Sequence, residues 1–389
     1  MGSRLSDAGA RRFAEIAQRH IDEDYVPGLV VLVAAGDDVY AEAFGRLAID
    51  GPKMERDSLF RISSVTKPIT AAAVLALVTE GLLALDHPVD DFLPELANRK
   101  VLRAVDGPID DTDPALRAVT TRDLLTFTFG FGFVLEMFLS KEPWPILEAT
   151  TALKLSTLGP PHPQEPPDPE TWIAGFGSLP LLAQPGERWF YNTGAQVLGV
   201  LAARVGGAAF PDVLRSRVLE PLGMADTTFW TDDYDRFATA YLPTPEGLVV
   251  FDLPKGEWGS PPAFPDGAAG LISTADDLFA FARMLLRGGA PVMSRELARE
   301  MTTDQLSPEQ KAFGGLLPNF FDARSWAFGQ SVLADGSYGW DGGLGTTWLV
   351  DPNRELVTIV LTQRMFESPE TPSIHQEIQE AARAAVEVD

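Results

Sequence analysis

From Pro68 to Leu83 the chain reads Pro-Ile-Thr-Ala-Ala-Ala-Val-Leu-Ala-Leu-Val-Thr-Glu-Gly-Leu-Leu, apolar on nearly every side of a 3.6-residue period. A helix of this kind has no polar face to turn to water, so the rest of the fold must wrap it. That demands a sizeable interior. A chain of 389 residues, 45% hydrophobic and 22% charged, can supply one, as a single large domain with an insertion or as two domains sharing a cleft.

The flanking segments suggest what does the wrapping. Ser6 to about Asp22 places Phe13, Ile16, Ala17 and His20 at helical spacing behind a capping serine. Gly28 to Ala35, a polar Gly36-Asp37-Asp38 break and Val39 to Phe44 read as a β-hairpin. From His87 to about Thr244 short helical stretches alternate with proline-rich joints, and the run Gly159-Pro-Pro-His-Pro-Gln-Glu-Pro-Pro-Asp-Pro is expected to be an exposed, stiff loop. A helix capped by Ser273 or Thr274 runs to about Arg287. Three β-rich pieces follow (Trp326 to Val332, Thr346 to Val350, Leu356 to Leu361), and a helix from Ser373 to Val386 closes the chain. The order predicts an α/β (α+β) fold with a mixed, mainly antiparallel sheet, built from both chain ends and flanked by helices. Residues 1–86 and 245–389 would form this α/β domain, residues 87–244 a mainly helical inserted domain, with the active site in the cleft between them.

Composition removes several kinds of chemistry and partner. Lys and Arg total 31 against 55 Asp and Glu, a net charge of −24, so the average surface repels nucleic acid and anionic lipid. With no cysteine there is no disulfide, no thiolate nucleophile and no Cys-ligated zinc. The N-terminus carries no apolar run like a signal-peptide core, and no stretch reaches eighteen consecutive apolar residues. A cytoplasmic protein acting on a small molecule, with no nucleic-acid or membrane partner, is the expectation; the pattern says nothing of oligomeric state.

Ser64-Val65-Thr66-Lys67 stands where a loop gives way to the apolar helix. Three residues are nearly one helical turn, so the Lys67 amine and Ser64 hydroxyl project from one face and can share a proton. A serine hydroxyl is a weak nucleophile until a neighbour takes its proton, and a lysine does so only when burial or nearby charge lowers its pKa. By itself Ser-x-x-Lys arises by chance in many chains, with the serine a cap and the lysine solvated. The apolar helix behind it argues otherwise, because a solvated lysine is out of place at the head of a buried helix.

Phe60-Arg61-Ile62-Ser63-Ser64-Val65-Thr66-Lys67 resembles the first motif of the serine β-lactamase and penicillin-binding protein superfamily, in its class C-like branch with the family VIII carboxylesterases. The resemblance continues through Glu80 to Val89, Arg122 to Thr126, Pro221 to Met224 and Gly270 to Asp277, nearly the whole chain. It implies a β-lactamase-like fold, an acyl-Ser64 intermediate and no cofactor or metal. Glu187-Arg188-Trp189-Phe190-Tyr191-Asn192-Thr193 resembles the second motif, in which Tyr191 would relay a proton with Lys67. The lactamase spacing Tyr-x-Asn, counted back from Asn192, would instead put Phe190 at the motif position. Tyr191 is preferred because the other register leaves no phenol to move a proton.

Gly339 to Pro352 resembles the third motif, with Trp340 where lactamases carry a lysine, as in family VIII esterases. On this resemblance Gly342 and Gly343 let substrate lie against backbone, and the N–H groups of Ser64 and Gly343 form an oxyanion hole. Trp340 offers no cation to a substrate carboxylate, which favours neutral esters over β-lactams. Relatives commonly show Thr-His-Thr-Ser-Gly where this chain has Thr126-Phe127-Thr128-Phe129-Gly130-Phe131-Gly132-Phe133. Aromatics are most often core, yet Phe127, Phe129 and Phe131 in a glycine-rich loop are candidates for the wall of an acyl pocket.

Rival chemistries find less support. No Gly-x-Ser-x-Gly elbow occurs, and His20, His87, His162 and His375 sit in terminal helices, a turn and the proline loop, so a Ser-His-Asp triad lacks a base. No His-x-x-x-His cluster suggests a metal. The reading is a serine hydrolase of short-chain carboxylic esters. β-Lactamase or D-peptidase activity, acyl transfer, linear-amide hydrolysis and a catalytically idle binding protein are the alternatives on the same fold.

Overall fold

The fold was analysed in a computed structural model, which describes residues 3–155, 159–312 and 314–388. Helix α1 (Asp7–Asp22) starts at Ser6, whose side chain accepts the Gly9 N–H. Strands β1 (Gly28–Ala35) and β2 (Asp38–Gly45) form the expected hairpin, paired from Gly28↔Gly45 to Ala35↔Asp38. Helix α2 (Thr66–Thr79) is preceded by one 3₁₀ turn, Ser63–Val65, and is buried at every position from Thr66 to Leu77. The other elements that frame the site are α3 (Thr193–Gly206), α4 (Ala275–Leu286), β3 (Arg324–Trp326), β4 (Ser331–Leu333), β5 (Tyr338–Gly342), β6 (Thr346–Asp351), β7 (Leu356–Thr362) and α5 (Ser373–Ala385).

One antiparallel sheet runs β3-β4-β5-β6-β7-β1-β2, so the two ends of the chain meet at the β7–β1 pair, Leu356↔Ala35 to Thr362↔Leu29. Both faces of the β7–β1 pair are covered, which is why β1 is buried throughout instead of alternating. On one side Leu29, Val31 and Val33 pack with Phe13, Ile16 and Ala17 of α1 and Ile374, Ile378 and Ala382 of α5. On the other, Val30, Leu32 and Ala34 join the main core with Ile69, Val74 and Leu77 of α2 and Leu278 and Phe281 of α4. Helix α2 runs through that core against α3, as its uniformly apolar surface requires.

The structure departs from the sequence expectation in small pieces. Trp326 to Val332 is not one strand: β3 and β4 are a short hairpin paired Trp326↔Ser331. Tyr338–Gly342 forms a strand between β4 and β6. A two-stranded hairpin, Ala240–Thr244 with Gly247–Asp252, turns where the α/β domain was expected to resume. Ser3–Leu5 pairs with Val386–Val388, tying the termini together. No single helix among the described residues is long and apolar enough to cross a membrane.

The segment leading to Ser64 is pinned from below. Phe60–Arg61 pairs with Ile272–Ser273, and the buried Arg61 guanidinium binds Asp252 through Nε at 2.9 Å and Nη2 at 2.5 Å. Arg61 also donates to the carbonyls of Ala238 at 2.6 Å and Leu253 at 2.9 Å and lies over the Phe237 ring. Arg61→Met should therefore leave Asp252 as an uncompensated buried charge and cost about 3 to 5 kcal/mol, read from the urea unfolding midpoint. The double variant Arg61→Met with Asp252→Leu should recover most of that loss.

Candidate active site

Ser64 lies in the 3₁₀ turn ahead of α2, half-buried, with its hydroxyl 2.8 Å from the Lys67 ammonium nitrogen. Lys67 is fully buried one turn on, and its Nζ also donates to the Ala268 carbonyl at 2.9 Å. Removal from water disfavours the ammonium and brings the Lys67 pKa down to about 7, while the Asp266 carboxylate works against the fall. A neutral Lys67 keeps an N–H for Ala268 and turns its lone pair to the Ser64 hydroxyl, the arrangement a general base needs.

Tyr191 closes the group from the segment before α3. Its ring centroid lies 4.5 Å from Lys67 Nζ, its hydroxyl is hydrogen-bonded with Ser64, and it accepts the Trp340 indole N–H at 2.7 Å. Burial pushes the phenol pKa up although both hydrogen bonds oppose the rise, so Tyr191 stays protonated at neutral pH. The Trp340 N–H fills one acceptor site on the phenol oxygen, and the same hydroxyl shares a hydrogen bond with Ser64. Lys67 is thus equipped as base and Tyr191 as donor and conduit.

Tyr191 is held on all sides. Its backbone exchanges hydrogen bonds with Phe133, N–H to O at 2.9 Å and O to N–H at 3.1 Å, and its ring meets Phe127, Phe133, Trp189, Trp326 and Trp340 at centroid distances of 5.1 to 6.0 Å. The next residue, Asn192, sits at φ 81°, ψ −66°, and the Thr193 N–H returns to the Tyr191 carbonyl at 3.2 Å. This is a γ-turn of the strained hand, rare for a residue with a side chain. It lets the chain leave Tyr191 and enter α3 within one residue.

Above these groups opens a cavity of about 450 Å³, a size suited to a small organic ligand. Ser64, Tyr191, Trp340 and Gly343 line it, with Phe133, Phe138, Leu316 and Phe366 as apolar wall and Asp266, Asp341 and Glu367 as the acidic groups. No lysine, arginine or histidine is among the described lining residues. His162 instead pairs with Glu257 at 2.8 Å, and His375 is buried against Thr347.

Four sequence candidates lie elsewhere. Phe129 and Phe131 are core residues packed on Phe176, and Phe127, at φ 61°, turns its ring behind Tyr191 against Trp326. Gly130 and Gly132, at φ +100° and +145°, break the alternation of the run, and of its phenylalanines Phe133 is the one on the cavity wall. Gly342 faces inward, where any Cβ would strike the Ile62 carbonyl and Thr346 side chain; it serves the close approach of β5 to the Ser64 turn rather than substrate. Sequence reasoning missed Asp266 and the role of the proline-rich run: Gly159, Pro160 and Pro161 line the cavity, anchored beyond by His162 and by Gln164, which donates to the Glu257 and Ser260 carbonyls.

The beta-lactamase family model matches residues 13–383. Protein Rv1367c of Mycobacterium tuberculosis is 37% identical over 332 residues, 80% of this chain and 79% of its own length. Esterase EstB of Burkholderia gladioli is 30% identical over 394 residues, 93% and 92% of the two chains. The solved structure of EstCE1, described as a hydrolase with promiscuous acyltransferase activity, superposes with a TM-score of 0.77 at 26% identity, over 96% of this chain and 98% of that one. A nearly full-length family match and a fold shared with these enzymes make this chain a member of the beta-lactamase family of serine hydrolases.

Proposed function

We propose that the chain is a carboxylesterase that cleaves short-chain, neutral esters through an acyl-Ser64 intermediate. The observation that carries this reading is a fully buried Lys67 amine 2.8 Å from the hydroxyl of Ser64, which lines a cavity whose described residues offer no cation to a substrate carboxylate. The similarity to the esterase EstB and the hydrolase EstCE1 supports the same class of chemistry.

In acylation the ester carbonyl oxygen takes the N–H groups of Ser64 and Gly343. Ser64 Oγ attacks the carbonyl carbon while its proton passes to Lys67, and the bond to the alcohol breaks as the departing oxygen receives a proton through Tyr191. Water then enters by the reverse path, giving up a proton as Ser64 is released. An alcohol entering in place of water would give acyl transfer, so acceptor concentration sets the partition between the two outcomes.

Trp340 gives the reading its specificity. Its one N–H is committed to Tyr191, so it presents substrate with carbon alone, and Asp341 beside it adds no attraction for an anion. Losing a charged hydrogen bond to a carboxylate costs roughly 1.5 to 3 kcal/mol, about one to two powers of ten in kcat/KM. The wild type should therefore hydrolyse p-nitrophenyl butyrate about ten- to a hundredfold more efficiently than nitrocefin. Equal efficiency would remove Trp340 as a barrier. A phosphonate probe should label the Ser64 peptide alone, and Ser64→Ala should lose hydrolysis; label elsewhere or retained activity overturns the mechanism.

The paired glycines separate fold from function. A Cβ on Gly343 would meet nothing within 4 Å, whereas one on Gly342 would collide with backbone. Gly343→Val should keep the Tm of the wild type while losing about tenfold or more in kcat/KM, because the side chain enters the space of the oxyanion. Gly342→Ala should instead lower the Tm by several degrees, about 1 to 3 kcal/mol of overpacking.

A further inference from the structure

The geometry points to Asp266 as the positioning residue that sets the proton affinity of Lys67, an inference that rests on Lys67 acting as the base. Asp266 stands in the loop between the Phe264 region and the strand Ile272–Ser273, and its side chain lies on the cavity wall. Asp266 Oδ1 accepts the Ala268 N–H at 2.7 Å, and the carbonyl of the same Ala268 accepts from Lys67 Nζ at 2.9 Å. A single residue thus bridges carboxylate and amine.

The loop is clasped by both helices that matter. From α2, Thr70 Oγ donates to the Gly267 carbonyl at 2.7 Å and Thr66 Oγ accepts the Leu271 N–H at 3.1 Å. From α3, Gln196 donates to Asp266 at 3.3 Å. Gly267 packs so closely on the Ala195 carbonyl and Thr70 that a Cβ there would displace them. The carboxylate is therefore fixed relative to Lys67 rather than free to swing away.

The groups facing Lys67 are few. Its own turn supplies the Ser64 hydroxyl, the segment before α3 supplies the Tyr191 ring, and this loop supplies Asp266. Asp341 on β5 acts on Tyr191. Among the described residues Asp266 is the carboxylate whose field acts on the amine, raising its pKa against the effect of burial, while burial also pushes the Asp266 carboxyl above the usual carboxylate range. A base with no counter-charge in a dry site would lose its proton readily but bind one weakly; the carboxylate restores enough basicity to take the proton of Ser64.

The sign follows directly. Replacing the carboxylate by a neutral group removes stabilisation of the ammonium, so Lys67 deprotonates at lower pH. Asp266→Asn keeps an acceptor for Ala268, and Asp266→Ser is a second neutral variant should the first fold poorly. In both, the acid limb of kcat/KM against pH for p-nitrophenyl butyrate should move down by about one pH unit, with a lower alkaline plateau. Asp266→Glu should keep the limb near the wild-type position. A merely structural role would lower the plateau and leave the limb in place, and that result overturns the inference. Lys67→Ala, run alongside, separates the two claims: inactive Lys67→Ala with an unmoved limb in the Asp266 variants defeats this inference alone, whereas an active Lys67→Ala defeats the reading beneath it.

Discussion

An amine held in a place without water is the constraint on which the site depends. Lys67 sits at the head of a helix whose neighbours leave it no solvent, and the cost of burying an ammonium there lowers the proton affinity of the amine. The apolar helix, the core around it and the sheet beyond are all needed to keep that position dry. Fold and reactivity therefore have one origin: the residues that stabilise the interior also set the protonation state of the lysine.

The other parts act on geometry. The Ser64 turn is locked by Arg61 beneath and by the close approach of Gly342 from β5. Tyr191 is fixed by backbone pairing with Phe133, by the Trp340 N–H and by a strained turn at Asn192. Strain of about 1 to 3 kcal/mol at such a turn persists because the surrounding packing over-determines it. The aromatic group around Tyr191 excludes water from the phenol, which keeps it a donor rather than a phenolate.

Much of this was legible in the sequence, and the remainder was hidden for identifiable reasons. Helices α1 and α4 carry caps and periodicity in their own residues and α2 an almost unbroken apolar run, so their spans were read within a few positions. Ser64 and Lys67 share a local spacing that becomes informative because an apolar helix follows it in the same stretch of sequence. The β3–β4 hairpin was read as one strand because Trp326 to Phe328 and Val332 are apolar and the turn between them carries a single glycine, Gly329. The phenylalanine run misled because alternation alone does not tell which face meets the core, and two glycines with positive φ reset that face midway. Asp266 was invisible for a different reason: a lone aspartate in a loop has meaning only when Lys67, distant in sequence, folds against it.

The central claim is that resting Lys67 is a neutral amine at the pH of catalysis. Heteronuclear NMR of the specifically labelled Lys67 side chain, titrated in the folded enzyme, measures this without any substrate. The midpoint should lie near 7, drawn down by burial from the 10.5 of an ordinary lysine. A midpoint that stays near 10.5 would mean that the amine is a permanent cation, and Ser64 would then need another base.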